Sequence, residues 1–362
     1  LTWTLTADGT MTISGTGAMK EYYGSDNSPA YYNSKIKKVV IENGITSIGA
    51  YAFSGCTNLA SIEIPSSVTS IGNGAFSDCS SLTDITIPSS VTSIGDHTFY
   101  GCNSLTGITI PESVTSIGAS AFYDTPWLTN KQKENNSLVI VNGILIDGTV
   151  CSGEVTIPDG VTSIGNSAFF GCSNMTSINI PKSVTSIGNG AFSICTGLTS
   201  INIPENVTSI GNGAFQRCSN LASIKIPDGV KSIEDNAFYE CTGLTGITIP
   251  ESVTSIGKFA FYNCTGLTSI EIPEGVTSIG EYAFDSCNKL ASITIPSSVT
   301  SIGVGVFNHC SSLKEVLLEN GSTLTSGNLG ANESQIGTYW NEDNLTWTLT
   351  ADGTMTISGT GA

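Results

Sequence analysis

Phenylalanine recurs every 23 residues, and this spacing constrains the fold more than any other feature. The string VTSIG recurs nine times in step with it, with ITSIG at 45–49 and VKSIE at 230–234 as variants. A fixed period of this length is the signature of stacked structural repeats, so the 362 residues indicate one solenoid rather than two or three globular domains. The anchor residues are 23 apart except for one interval of 47: Phe53, Phe76, Phe99, Phe122, Phe169, Phe192, Phe215, Phe238, Phe261, Phe284 and Phe307.

The first half of each repeat reads as a short strand. In the segment from Leu82 to Pro88, Ile85 and Ile87 alternate with polar residues, which places both isoleucines on one face. The proline ends the strand because it has no amide hydrogen to donate to a neighbour. Stacking of successive turns would bury these isoleucines in continuous ladders.

The second half of each repeat predicts a bend followed by a short helical segment. Val91 and Ile94 point inward, and Gly95 allows a backbone geometry that a Cβ would oppose. Phe99 and Cys102 then follow at helical spacing, which predicts a short α or 3-10 segment. The fold class is therefore α/β, with one parallel strand and one short helical or 3-10 segment per 23-residue turn.

One turn departs from the pattern, in the 47-residue interval at 123–156. It holds Trp127 and a polar stretch at 129–137 before a strand around Val141. Insertions in solenoids usually form surface loops on one face. A structural joint is the favoured interpretation, with a binding loop as the alternative.

The two ends of the chain carry the same 18 residues, because LTWTLTADGTMTISGTGA occupies both 1–18 and 345–362. The parent protein is therefore expected to repeat a larger unit, of which this chain holds one and the start of the next. The segment predicts a β-hairpin with a three-residue loop at 7–9, which sets Leu5 opposite Met11 and Trp3 opposite Ile13. Such a hairpin would cap the open edge of the first turn.

Units such as IPSSVTSIGNGAFSDCSSLTDIT at 64–86 and IPESVTSIGKFAFYNCTGLTSIE at 249–271 resemble the BspA-like leucine-rich-repeat family, whose consensus joins an LxxIxIP strand to an IGxxAFxxC segment. The match covers about residues 36–319. The prefix LTWTLTADGTMTISGTGAM at 1–19 resembles the module that often precedes such repeats. Three features depart from the consensus: Thr125 in place of cysteine, Glu234 in place of glycine, and the irregular turn.

The resemblance implies a right-handed leucine-rich-repeat solenoid at 36–319, capped by the N-terminal hairpin at 1–35. Residues 320–362 would form a C-terminal linker and the start of a next module. It also implies an extracellular or cell-surface protein of bacteria or protists with a role in adhesion. No secretion signal or anchor is visible in these residues, which begin inside a motif.

Ten of the eleven cysteines lie three residues after an anchor phenylalanine, and Cys151 lies in the irregular turn. Neighbouring turns would bring their Cα atoms to about 5 Å, so disulfides are geometrically conceivable. Their regular spacing favours reduced thiols that pack as small apolar groups. The ten are Cys56, Cys79, Cys102, Cys172, Cys195, Cys218, Cys241, Cys264, Cys287 and Cys310.

The sequence predicts neither an enzyme nor a metal or cofactor site. The two histidines, His97 and His309, are about nine turns apart, and no CxxC pair occurs. A net charge of −17 opposes binding to nucleic acid and to anionic lipid. No apolar stretch reaches the roughly 18 residues that a membrane span needs, so direct membrane insertion is not expected.

Two rows of side chains are candidate contact surfaces. One row is the outward position between the two strand isoleucines, which lines the concave sheet in leucine-rich repeats; a solvated polar ladder is the alternative interpretation. Its candidates are Glu63, Thr86, Thr109, Asn179, Asn202, Lys225, Thr248, Glu271 and Thr294.

The second row consists of aromatic residues beside the anchors. Stacking would place Tyr239 against Tyr262 and Phe259 against Tyr282, as one group on a flank of the solenoid. The alternative is that these rings only cover the seams between turns. The predicted function is an extracellular adhesion or recognition module that binds a host or neighbouring-cell protein or glycan. A passive spacer or stalk that presents other domains is the alternative.

Overall fold

The computed structural model divides the chain into two compact units, Leu1–Val150 and Cys151–Ala362. Backbone and side chains are described for 1–23, 28–319, 322 and 324, and the backbone alone for 336–342, 345–349 and 355–359.

Short strands provide nearly all the regular structure of the first unit. The helix α1 (Pro126–Glu134) is the one helix among the described residues of the chain. The strands of this unit are β1 (Thr2–Leu5), β2 (Thr10–Ser14), β3 (Gly17–Ala18), β4 (Lys38–Ile41), β5 (Ile45–Ile48), β6 (Ser61–Glu63), β7 (Ser70–Ile71), β8 (Asp84–Thr86), β9 (Ser93–Ile94), β10 (Gly107–Thr109), β11 (Ser116–Ile117), β12 (Val139–Val141) and β13 (Ile144–Asp147).

The second unit continues the same alternation of short strands. Its strands are β14 (Gly153–Thr156), β15 (Ser163–Ile164), β16 (Met175–Asn179), β17 (Ser186–Ile187), β18 (Ser209–Ile210), β19 (Ser223–Lys225), β20 (Ser232–Ile233), β21 (Gly246–Thr248), β22 (Ser255–Ile256), β23 (Ser278–Ile279), β24 (Ser292–Ile295), β25 (Ser301–Ile302), β26 (Glu315–Glu319), β27 (Ile336–Glu342), β28 (Leu345–Leu349) and β29 (Met355–Gly359).

Each unit is a parallel β-solenoid with a 23-residue period, as the repeat predicts. The isoleucine strand pairs in parallel with its equivalent one turn later, so that Ile85 lies opposite Ile108. The Thr-Ser-Ile segment after the bend also pairs, with Ile71, Ile94 and Ile117 in register. The prediction of one strand per turn is therefore wrong in number, because many turns contribute a second, two-residue strand to a second parallel sheet.

The predicted short helix after the glycine is wrong, because this segment forms a series of single turns. Around Phe76, the amide of Ser77 donates to the carbonyl of Gly74 (3.0 Å), whereas the amide of Phe76 donates to Thr98 of the next turn (2.9 Å). The backbone is left-handed two residues before and after this phenylalanine, at Gly74 (φ 58°) and Asp78 (φ 60°). A helix needs internal bonds from successive amides and right-handed dihedrals throughout, and the segment meets neither condition.

The consensus glycine is required because adjacent turns approach closely at that point. A Cβ on Gly95 would lie 2.6 Å from the backbone nitrogen of Asn73 and 2.7 Å from the carbonyl carbon of Gly72. Gly95 is not among the residues with positive φ. The glycine therefore provides space for the preceding turn rather than an unusual dihedral.

The N-terminal hairpin has the predicted register and caps the first turn. Trp3 lies opposite Ile13 and Leu5 opposite Met11, while β2 pairs in parallel with β4 so that Ile13 meets Ile41. After the hairpin, β3 pairs with β5 and extends the second sheet as well. The prefix thus covers the first turn in both sheets.

The irregular turn is built from α1 and a hairpin of β12 and β13. The hydroxyl of Thr125, which replaces the consensus cysteine, accepts a hydrogen bond from the amide of Leu128 and so caps the helix N-terminus. The ring of Trp127 is buried 4.7 Å from that of Phe122. The first part of the insertion therefore packs into the core, which supports a structural joint over an exposed binding loop.

A column of stacked phenylalanines forms the core of each unit. In the first unit it is closed at both ends by tryptophan, because Trp3 lies 5.5 Å from Phe53 at one end and Trp127 contacts Phe122 at the other. In the second unit the rings are parallel within 13° and separated by 5.2–5.9 Å. The column of the second unit is here named the phenylalanine column. It contains Phe169, Phe192, Phe215, Phe238, Phe261, Phe284 and Phe307.

Candidate interaction surface

The outward positions of the first-sheet strands form the predicted row, here named the strand row. Its members face each other across parallel strands, as in the pairs Thr86–Thr109 and Lys225–Thr248. Eight of the nine are exposed and Thr294 is half-buried. They are Glu63, Thr86, Thr109, Asn179, Asn202, Lys225, Thr248, Glu271 and Thr294.

The strand row offers hydrogen-bonding groups with few free charges. Lys225 pairs with Glu205 at 2.8 Å, and Glu63 pairs with Lys38. The hydrogen bond from Lys225 and its positive charge hold the pKa of the Glu205 carboxyl below its ordinary value. Short hydroxyl and amide groups make up most of the remainder, so the row could bind a partner by hydrogen bonds but has no aromatic platform.

Four aromatic residues of the second unit form one contiguous group, as the repeat predicts. The rings of Tyr239 and Tyr262 stack at 4.9 Å, and those of Phe259 and Tyr282 stack at 5.2 Å. Phe259 also meets Tyr262 edge to face at 5.8 Å, which joins the two stacks. All four are half-buried. This flank aromatic group therefore presents ring surface that neighbouring turns do not cover completely.

Two members of the flank aromatic group stand in strained backbone. Phe259 and Tyr282 have φ values of 54° and 56°, at a position that is glycine in other turns, such as Gly213 and Gly305. A left-handed conformation costs an ordinary residue about 1–2 kcal/mol, of which ring stacking offsets a part. The turn after Tyr282 makes room for the ring, because a Cβ on Gly305 would lie 2.5 Å from it.

Two ion pairs lie beside the flank aromatic group, and the sequence analysis did not single them out. Arg217 bonds Glu240 at 2.8 Å next to Tyr239, and Lys258 bonds Glu281 at 3.1 Å next to Phe259. Each pair joins residues 23 apart, so opposite charges at one repeat position were the signal that could have identified them. A contiguous aromatic centre with a charged rim is the usual composition of a protein contact site.

The other aromatic residues beside the anchors form smaller groups. In the first unit Tyr100 and Tyr123 stack at 5.4 Å and are 38% and 49% exposed. Phe170 in the second unit is exposed, and Tyr51 is half-buried against Tyr23. The stack of Tyr100 and Tyr123 matches that of Tyr239 and Tyr262 in repeat position, which makes it a natural control.

The cysteines have a structural role in this geometry. All eleven are buried as thiols. The Cys218 thiol donates to the carbonyl of Phe192 (3.0 Å) and that of Cys241 to the carbonyl of Phe215 (3.0 Å), a contact that recurs along both units. Burial raises the pKa of the Cys241 thiol to about 12, so the nucleophilic thiolate is suppressed.

Groupings typical of metal centres and of membrane spans do not occur in the described ranges. No three His, Cys, Asp or Glu side chains there are placed to hold a metal ion. The helix α1, which is nine residues long, is the one helix in those ranges, and no helix there has the length and apolar character to cross a bilayer.

Solved structures of bacterial repeat proteins are similar to this chain. A leucine-rich repeat protein from Eubacterium ventriosum is 31% identical over 91% of this chain and 96% of its own, with a TM-score of 0.55. One from Bacteroides ovatus is 28% identical over 94% and 98%, with a TM-score of 0.45. A leucine rich cell surface protein from Faecalibacterium prausnitzii is 27% identical over 89% and 93%, with a TM-score of 0.40.

No curated protein matches the chain. The model of the BspA type leucine rich repeat region matches in six copies, over residues 27–144, 149–249 and 231–339. These matches cover well over half of the 362 residues. The chain therefore belongs to the BspA-type leucine-rich-repeat family.

Proposed function

We propose that the chain is a recognition module, located outside the cell or on its surface, that binds a protein or glycan partner through the flank aromatic group. The observation that carries this proposal is the contiguous set of half-buried rings at Tyr239, Phe259, Tyr262 and Tyr282. Membership of a repeat family that is generally non-enzymatic supports a binding role. The location outside the cell or on its surface is what the resemblance to this family implies.

The flank aromatic group has the properties of a contact site. Aromatic side chains supply a large contact area at low cost in conformational entropy, because they have only two rotatable bonds. Phe259 and Tyr282 are held in place by stacking, so little ordering remains to be done on binding. Most of the strand row consists of short polar side chains, which suit a secondary, hydrogen-bonded contact.

A binding screen followed by a matched pair of variants tests the proposal. The protein is first screened against immobilised host matrix proteins and a glycan array. The variant Phe259→Ser/Tyr262→Ser is then compared with Tyr100→Ser/Tyr123→Ser on every partner found. We expect at least a tenfold loss of affinity in the first and less than a twofold change in the second, since buried aromatic contacts carry most interface energy.

Two results would contradict the proposal. An equal effect of the two double variants would show that this group does not define the contact site. A failure of the intact protein to bind any surface, in a screen whose control lectin and adhesin bind, would argue against recognition itself.

A passive spacer is the second candidate function, and the repeated terminal hairpin favours it. The sequence at 1–18 recurs at 345–362, and both copies form hairpins with the same register. As a spacer, the unit would be replaceable in the parent protein by an unrelated rod of similar length without loss of partner binding. Loss of binding on that replacement would favour recognition.

A further inference from the structure

The terminal hairpin occurs twice in the chain with the same internal pairing. In the first copy Trp3 lies opposite Ile13, and in the second Trp347 lies opposite Ile357. Leu1 corresponds to Leu345, an offset of 344 positions, so the facing residues of the second copy are those of the first with 344 added to each number. Identical sequence and register mean that both copies present the same two outer edges.

The two copies use opposite edges of this hairpin. In the first copy the second strand, β2, pairs in parallel with β4 of the first solenoid turn. In the second copy the first strand, β28, pairs antiparallel with β27. Within the described residues, the outer edges of β1 and β29 have no strand partner. Each edge left open in one copy is therefore the edge that is paired in the other.

The hydrogen-bond phase of the first hairpin shows which residues the open edge of β1 presents. The amide of Thr6 donates to the carbonyl of Thr10 across the hairpin (3.0 Å). Because bonded pairs alternate in an antiparallel ladder, the even-numbered residues of β1 bond to β2 and the odd-numbered ones face the open edge. Trp3 is one of these, and its equivalent Trp347 is directly opposite Trp340 of β27.

We propose that the hairpin is a two-sided joint between consecutive copies of the 344-residue repeat, residues 1–344. Its first strand binds β27 of the preceding copy and its second strand binds β4 of the following copy, at the same time. The partner of the open β1 edge is thus β27 of a second copy of the unit. The last sheet of one copy then continues into the first sheet of the next. This inference holds whether or not the chain also binds another partner.

The joint also explains how the open strand edges would be covered. An unpaired strand edge exposes a row of amides and carbonyls that can pair with any other chain. The hairpin covers β4 at one end and β27 at the other, but a single copy leaves one of its own edges open each time. In a series of units, each shared hairpin would have both edges paired.

A two-unit chain tests whether both edges are occupied in one molecule. It consists of residues 1–344 followed by residues 1–362. One cysteine pair is Tyr339→Cys in the first 344-residue repeat with Thr4→Cys in the second, since Tyr339 lies opposite Thr348, the equivalent of Thr4. The other is Thr10→Cys with Lys38→Cys, both in the second 344-residue repeat, which lie opposite each other. Thr10 is diagonal to Thr4, about 7–8 Å away, which is too far for a disulfide within the hairpin. Facing Cα atoms in such pairs are about 4.5–5 Å apart, within disulfide range.

Controls isolate the register and the fold. In the register control the cysteine is placed at Thr2 instead of Thr4. This moves one partner by two residues, about 7 Å along the strand, which is beyond the reach of a disulfide. Serine versions of all four positions check that the chain folds. The native thiols are buried and are expected to stay unreacted under mild oxidation.

Mass spectrometry of the oxidised chain then counts the cross-links in each molecule. We expect most molecules to carry both, and the register-shifted control to carry the second alone. Molecules that carry one or the other but never both would show that the hairpin serves one side at a time. Absence of the first cross-link, or equal cross-linking in the control, would also overturn the joint.

Discussion

The phenylalanine column and the flank aromatic group are both stacks of rings 23 residues apart in the second unit, but they lie in different environments. Column members such as Phe215 and Phe261 are fully buried, whereas Phe259 and Tyr262 are half-buried. The ring separations are almost equal, at 5.2–5.9 Å in the column and 4.9–5.2 Å in the flank stacks. The rise of the solenoid therefore sets the spacing, and position within the turn decides whether a ring serves the core or the surface.

The backbone conformation explains why the side chains of neighbouring residues lie in such different environments. Two residues before each anchor the chain is left-handed, as at Phe259, and the anchor itself follows after one intervening residue. This reversal directs Phe261 inward, where it stacks between Phe238 and Phe284. The same comparison separates changes that should unfold the protein from changes that should affect only binding.

The largest expected effect is a loss of stability at alkaline pH, caused by the buried thiols of both units. Burial raises the pKa of Cys56 and Cys102 to about 12 and of Cys310 to about 11, from 9.0. Well below pH 9 these thiols are protonated in both states, so their contribution is complete. As the pH rises towards 11–12 the unfolded chain loses protons that the folded chain keeps, which costs about 1.4 kcal/mol per thiol for each pH unit.

Denaturant titrations between pH 8 and 11 measure this slope. The control is Cys218→Ala, which removes one thiol whose pKa is raised by burial and should reduce the slope by about 1.4 kcal/mol per pH unit. A slope that Cys218→Ala leaves unchanged would show that other groups, such as the lysines, cause the alkaline unfolding.

The next largest effect is expected for a single ring in the middle of the column. Phe215→Ala should lower the free energy of unfolding by about 3–5 kcal/mol, because it leaves a cavity between Phe192 and Phe238. Phe170→Ala makes the same chemical change at a side chain that is 49% exposed, and it should cost less than about 1 kcal/mol. Chemical denaturation of both variants checks the difference, and similar losses would mean that the two positions are not distinguished by burial.

The sequence predicts the parts of the fold that depend on periodicity. The inward set of Ile85, Ile87, Phe99 and Cys102 is buried, and the register of the terminal hairpin is confirmed. Both follow from the alternation of apolar residues and from a turn with glycine at its left-handed position. The contacts within the flank aromatic group are also confirmed, because stacking alone places residues 23 apart side by side.

The sequence does not predict features that depend on hydrogen bonds between turns. Apolar spacing around Phe99 and Cys102 resembles a helix, but the amide of Phe99 donates to Ala121 of the next turn (2.7 Å). The second strand of most turns has only two residues, which is too short to show the alternation of apolar and polar residues that identifies a strand. At the surface, the pairs Arg217–Glu240 and Lys258–Glu281 become visible only when charges are compared across repeats.

The central claim is that the flank aromatic group serves the surface and not the core, and thermal unfolding of Phe259→Ser/Tyr262→Ser tests it most directly. Serine keeps the Cβ, so the left-handed strain at Phe259 is unchanged and the variant loses only the contacts of the rings. We expect its melting temperature to fall by less than about 4 °C relative to Tyr100→Ser/Tyr123→Ser. A fall as large as that of Phe215→Ala would place these rings in the core and contradict the account.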